Sequence, residues 1–285
     1  MLHDIAPHVY SNAFHPHPAR LEDKTLCFAQ GGVYLREDGS LPLRRDYPAE
    51  AEVLYLFDYD GAGVYLSREA PLGCTLRPVR ALRELAQPDA FLGGTAQHLS
   101  DWYGMTRFCG RCGAKMTHSA TERAMVCPAC GNTVYPRISP AVIVLITCGE
   151  RILLAQGKHY AGNFYSLIAG YLEIGESLEQ ALVRECREEL ACREALEETG
   201  LHIRDLAYFG NQPWPFTDTQ MVGFFARADD REPIRLQEEE LRDARWFTRD
   251  DMPVTAPGIS IASAMIDAWR KGTGPAMPPE GDAHG

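Results

Sequence analysis

The stretch that most constrains this 285-residue chain is an acidic run in which one short pattern occurs twice. Residues 184–189 read Arg-Glu-Cys-Arg-Glu-Glu, and nine residues further on residues 193–198 read Arg-Glu-Ala-Leu-Glu-Glu. The preceding SLEQALV (177–183) has the look of a helix. Within each copy the carboxylates stand at i, i+3 and i+4, which makes them neighbours on one helical face. Left alone they would repel, and a divalent cation with oxygen ligands removes that repulsion. At about 100° and 1.5 Å per residue, nine residues of continuous helix turn the second copy by about 180° and carry it about 13 Å along the axis. Both copies therefore cannot serve one site. The candidates are Glu185, Glu188 and Glu189 on the one hand and Glu194, Glu197 and Glu198 on the other. The second copy ends well at Gly200, which takes a left-handed cap cheaply, whereas the first has Ala191 at the matching place.

The rest of the chain bounds the class. Apolar residues make up 45%, so the chain is globular. A net charge of −11 argues against general binding to nucleic acid or anionic membrane. No apolar run reaches the length of a membrane span and the opening MLHDIAPHVY has no leader pattern, so a cytoplasmic location is expected. Four of the nine cysteines come as two close pairs, Cys109 with Cys112 (CGRC) and Cys127 with Cys130 (CPAC). That clustering suits one tetrahedral, structural zinc in a reducing compartment better than a disulfide framework. With four protein ligands such an ion has no open position and serves folding rather than catalysis.

In chain order, VLYLFDYD (53–60) and GAGVYLS (61–67) read as strands about a turn at residues 60–63, and PVRALREL (78–85) begins like a helix. AQHLSDWYGMTRF (96–108) reads as an amphipathic helix feeding the cysteine module. AVIVLI (141–146) is an almost unbroken apolar run, as expected of a strand buried on both faces, with RILLAQ (151–156) as its partner across Gly149. FYSLIAGYLE (164–173) leads into the acidic run, beyond which HIRDLAYFGNQ (202–212), MVGFFARA (221–228) and ARWF (244–247) read as further strands and IASAMIDAWRKG (261–272) as a closing helix. The expected division is an N-terminal α/β domain over 1–105, a zinc ribbon over 106–135, a third domain over 136–272 and a disordered tail over 273–285.

Two further patterns narrow the class. Gly170, Glu176, Arg184, Glu185, Glu188 and Glu189 stand at the offsets of the Nudix box, and residues 212–216 read QPWPF. A chain with this box, a four-cysteine ribbon before it and QPWPF after it resembles the NADH pyrophosphatase (NAD-capped RNA hydrolase) family of Nudix hydrolases. The resemblance implies an α/β fold, the Nudix α/β/α sandwich with a mixed sheet, preceded by the ribbon and the N-terminal α/β domain. It implies metal-dependent hydrolysis of the pyrophosphate of NADH or NAD⁺ to nicotinamide mononucleotide and AMP, activity on NAD-capped RNA, and a homodimer.

Residue by residue, the resemblance implies that Glu185 and Glu189, or Glu194 and Glu198 from the second copy, hold Mg²⁺ or Mn²⁺ with Glu240. Glu188 or Glu197 then assists metal or water, and Arg184 or Arg193 orients the box by pairing with Glu176. Register with Gly170 and Glu176 favours the first copy, since the second would force SLEQALV to slide. Damage to the site by the insertion is a third outcome. Gln212, Pro213, Trp214, Pro215, Phe216 and Thr219 would line the nucleotide pocket: prolines pre-set the backbone, and the aromatic faces accept a planar base. Asn211 and Thr217 depart from the family's Ser and Pro. Tyr171 would meet the base, Tyr135 would reach across the dimer interface, and Ala262 would offer a backbone contact. Two other readings stay open: a Nudix hydrolase of a different nucleoside diphosphate derivative, and a zinc-ribbon module that senses a nucleotide without cleaving it.

Overall fold

The structure is a computed structural model that describes residues 1–158, 164–189, 203–228, 241–253, 255 and 258–277, with side chains for all of these but 187–189. The chain divides into two compact units. One comprises Leu2–Ile138 together with Trp214–Asp218; the other takes Met1 and the rest from residue 139 onward.

In the first unit, β1 (Tyr10–Ser11), β2 (Lys24–Ala29), β3 (Gly32–Arg36), β4 (Val53–Tyr59), β5 (Ala62–Ser67) and β6 (Cys74–Pro78) form a six-stranded sheet in the order β1-β4-β5-β2-β3-β6. The β4–β5 hairpin turns on Asp60 and Gly61, both at positive φ (50° and 73°), the twist that a two-residue hairpin turn needs. Helix α1 (Gln87–Met105) covers the sheet. Its second half shows the expected stripe, with Ala96, Leu99, Trp102 and Tyr103 buried. It begins well before residue 96 because Ala90, Phe91 and Leu92 are buried too. The helix expected from residue 78 is instead a short 3-10 segment, Val79–Glu84. The chain is extended at Leu85 and Ala86, and Pro88 has no N–H to offer the Glu84 carbonyl, so a helix from residue 78 could not run on into α1 without a break. After α1, β7 (Thr117–His118), β8 (Met125–Val126) and β9 (Thr133–Val134) form a small antiparallel sheet around the cysteines.

The second unit is built on β10 (Ser139–Cys148), β11 (Arg151–Gly157), β12 (Ile168–Tyr171), β13 (Ile203–Trp214), β14 (Thr219–Ala228) and β15 (Leu241–Phe247). Their order is β13-β14-β10-β11-β15, with β12 paired to β10. The sheet is mixed: β10 runs parallel to β14 and antiparallel to β11 and β12. Strand β10 explains the layers. Val142, Val144 and Ile146 point to one face, where they pack with Ala181, Leu182 and Cys186 of α2 (Leu178–Glu189). Ile143 and Leu145 point to the other, against Ile261, Met265, Ile266 and Trp269 of α3 (Ile261–Lys271). An apolar run without alternation is what a strand with a helix layer on each side requires. This is the α/β/α sandwich. Among the described residues no helix is long and apolar enough to cross a membrane.

Candidate functional site

Helix α2 is held in phase from its first turn. The Ser177 hydroxyl accepts from the Gln180 amide (3.2 Å), and the Gln180 side chain accepts from the Ser177 amide (2.9 Å). This reciprocal capping box satisfies two amides that a helix start leaves without partners. It also fixes which residues of the helix face the sheet: Ala181, Leu182 and Cys186 go into the core. Arg184 and Glu185 consequently meet the strand and turn that precede the helix.

Arg184 donates through Nε to Glu176 (2.6 Å) and through a terminal nitrogen to the other oxygen of the same carboxylate (2.9 Å). It also donates to the Tyr171 carbonyl (2.9 Å) and to Glu185 (2.7 Å). Glu176 further accepts from the Glu173 amide (2.9 Å). The Arg184 hydrogen bonds, chiefly, pull the Glu176 carboxyl down to about 2, so it is ionised at neutral pH. A fork-to-fork pair of this kind fixes direction as well as distance. Gly170, in β12, faces the Glu185 carboxylate so closely that a β-carbon on residue 170 would fall inside it. The box glycine is thus a requirement of close approach.

Of the acidic candidates for a hard divalent cation, Glu185 is the one whose side chain the structure describes. Glu185 is ionisable oxygen chemistry held against the β12 backbone, on a helix whose sequence continues with Glu188 and Glu189, the spacing that suits carboxylate-bound Mg²⁺. The backbone of α2 runs to Glu189. The side chains of Glu188 and Glu189, and Glu194, Glu197, Glu198 and Glu240 altogether, lie outside the described residues.

The four ribbon sulfurs lie within 4.8 Å of one another, with Cys109 Sγ 3.7 Å from Cys130 Sγ and Cys112 Sγ 3.5 Å from Cys127 Sγ. Sulfurs bound tetrahedrally at about 2.3 Å from zinc stand about 3.8 Å apart, so the cluster fits one structural zinc. Both knuckles have the same backbone. Cys109 N–H donates to the Ala114 carbonyl (2.8 Å) and Cys127 N–H to the Asn132 carbonyl (2.9 Å). Gly113 and Gly131 supply the left-handed turn at φ 74° and 72°. The Arg111 amide, donating to Cys109 Sγ, is the main cause that draws that thiol down to about 6, toward the thiolate that binds metal.

Comparisons with known proteins follow this geometry. The NUDIX domain model matches residues 137–268, and the NADH pyrophosphatase zinc ribbon domain model matches residues 106–135. The chain is 38% identical over 246 residues to the NAD-capped RNA hydrolase NudC of Stutzerimonas stutzeri, covering 83% of this chain and 86% of that one. It is 37% identical over 246 residues to the protein of the same name from Pseudomonas aeruginosa, covering 83% and 85%. The chain belongs to the NudC family of Nudix hydrolases. A solved Nudix hydrolase from Nitrosomonas europaea aligns at 22% identity over 52% of this chain and 80% of that one, with a TM-score of 0.39, too low to add to the argument.

In this Nudix hydrolase the other sequence candidates fall into distinct groups. Tyr171 and Thr219 come together: their hydroxyls are 3.2 Å apart, with Tyr171 half exposed and Thr219 buried. Gln212 is fully buried, and both ends of its amide are engaged by backbone. Nε2 donates to the Ile259 carbonyl (2.9 Å) and Oε1 accepts from the Ile261 amide (2.5 Å) at the start of α3. Ala262, next along, packs its side chain in the core beneath α3. Pro213 and Trp214 end β13, and Pro215 and Phe216 begin a 3-10 turn (Pro215–Thr217). The Trp214 and Phe216 rings meet edge to face at 5.2 Å. Tyr135 is exposed, its hydroxyl donating to Glu122 (3.3 Å). Three residues absent from the sequence reading, Arg83, Gly94 and His98, contact the Trp214–Asp218 segment within the same unit. No local signal marks them, because each contact joins residues far apart in sequence.

Proposed function

We propose that this Nudix hydrolase cleaves the pyrophosphate bond of NADH or NAD⁺ to nicotinamide mononucleotide and AMP, and the same bond in the NAD cap at an RNA 5′ end. The observation that carries this reading is the docking of the first copy: Arg184 clamped to Glu176 and Glu185 seated on Gly170. The relatives named NAD-capped RNA hydrolase, matched over 83% of the chain, support the substrate class.

Glu185 and Glu189, with Glu240, would hold Mg²⁺ or Mn²⁺, and Glu188 would assist. When bound, such an ion polarises the phosphoryl oxygen and lowers the pKa of water beside it. The work of the chain is positional. Arg184 takes no proton; it holds Glu176 and Glu185 in one geometry, so the carboxylate is aimed before substrate arrives. Water adds to one phosphorus, the bridging P–O bond breaks, and the water protons are shared between the departing phosphate and solvent. By the family resemblance Trp214, Phe216 and Tyr171 would each offer a face for the base, while Gln212 ties its strand to the start of α3. The reading includes a cytoplasmic homodimer with Tyr135 at its interface.

Phosphorus NMR of zinc-loaded protein with NADH and Mn²⁺ or Mg²⁺ tests it. The expected products are reduced nicotinamide mononucleotide and AMP. Absence of turnover of NADH, NAD⁺ and ADP-ribose by folded protein would overturn it in favour of nucleotide sensing.

A further inference from the structure

The Trp214–Asp218 segment is gripped at three points by the N-terminal part of its unit. The Arg83 guanidinium stands over both aromatic rings, 4.6 Å from the centre of Phe216 and 5.4 Å from that of Trp214. Gly94, in α1, leaves room for the turn: a β-carbon there would come within 2.8 Å of Pro215 and 3.1 Å of Phe216. His98, one turn further along α1, lies 3.4 Å from the Asp218 carboxylate and 2.8 Å from the Arg137 carbonyl. Gly94 and His98 locate the backbone of the segment. Arg83 stacks on the faces of both rings.

A guanidinium is planar, weakly hydrated and always charged, so it stacks on aromatic faces in a way that an ammonium does not. Here one guanidinium serves two rings that are edge to face with each other at 71°. That arrangement restrains the χ angles of both rings at once. Trp214 and Phe216 are only part-buried, so each keeps some exposed surface. Ordering these rings in advance removes an entropic cost that a base would otherwise meet on binding.

We propose that Arg83 is a positioning residue, which pre-orders the Trp214 and Phe216 faces for a substrate base. The inference rests on the assignment of this aromatic pair to base recognition in the proposed function. It gives the N-terminal unit a part in substrate affinity, distinct from the carboxylates of α2.

The test is a double-mutant cycle on the full-length, zinc-loaded chain, read by NADH affinity in chelator-free buffer without added Mg²⁺ or Mn²⁺ and by KM and kcat with Mn²⁺. Arg83→Ala is expected to raise Kd and KM about fivefold while kcat moves less, the scale of a partly exposed cation–π contact. Arg83→Lys should recover only part of the loss. In a Trp214→Ala, Phe216→Ala background Arg83→Ala should add little, because residues that act through one another are not additive. Unchanged affinity in Arg83→Ala and Arg83→Met, or an undiminished effect in that background, overturns the inference. If removing the rings themselves leaves NADH affinity unmoved, the base-recognition reading falls with it. Normal binding with no turnover would sink the hydrolase reading and leave Arg83 in its place.

Discussion

Gly170 and Glu185 occupy one space: the carboxylate of the helix residue sits where any side chain on the strand residue would have to be. Gly170→Ala must therefore push Glu185 away or open the gap between β12 and α2. Because Glu185 is aimed by that contact and by Arg184, a shift of about 1 Å is expected to cost about 100-fold in kcat/KM. Turnover of NADH by Gly170→Ala, beside a melting curve showing that it folds, checks this. Activity within threefold of the parent would mean that Glu185 need not sit there.

The capping box at Ser177 and Gln180 and the clamp between Arg184 and Glu176 both belong to the first copy of the acidic pattern. Using the second copy would require residues 177–183 to leave that cap and Ala181 and Leu182 to leave the core. Glu189→Gln is accordingly expected to lower kcat about 100-fold, as loss of a metal carboxylate does, and Glu198→Gln to change it less than threefold. The reverse pattern would place the reaction on the second copy.

The clamp also makes a pH prediction. Glu176 has a folded-state pKa of about 2 against an ordinary value of 4.5. A depressed carboxyl stabilises the fold fully above its unfolded pKa, and that contribution is lost as pH falls toward the folded one. The stability difference between the parent and Glu176→Gln should be flat from neutral pH to about 5 and shrink between about 4.5 and 2. Urea midpoints at stepped pH measure it. A difference that stays constant down to pH 3 would show that the pair does not hold Glu176 ionised.

Much of this was legible from residue patterns, for reasons tied to particular elements. The unbroken AVIVLI run announced a strand with two covered faces, and Val142 and Ile143 do point to opposite helices. The ribbon was legible because structural zinc takes four tetrahedral ligands, and the two knuckles supply four thiols at matched spacing. Gln212 was not. A glutamine among aromatics reads as a ligand contact, and only the fold shows it buried with its amide bound to Ile259 and Ile261. Arg83 was invisible for a related reason: its partners arrive from distant sequence, and nothing in PVRALREL distinguishes a stacking arginine from a solvated one.

For the ribbon, the expected stoichiometry is one zinc per chain, released by a thiol-modifying reagent and read by a colorimetric chelator. Cys112→Ser should lose the metal and lower the melting temperature, since binding energy at such a site is folding energy. Full zinc content in Cys112→Ser would remove that cysteine from the ligand set.

Gln212 separates two roles that its place in QPWPF leaves entangled. If it acts by joining the end of β13 to the start of α3, Gln212→Ala leaves a buried carbonyl and a buried amide without partners, at a cost of about 2 kcal/mol in stability. If it acts by touching the base, stability should barely change and NADH affinity should fall. The geometry favours the first, because both polar atoms of the amide are already engaged by backbone. Urea denaturation and an NADH titration on the same variant decide between them.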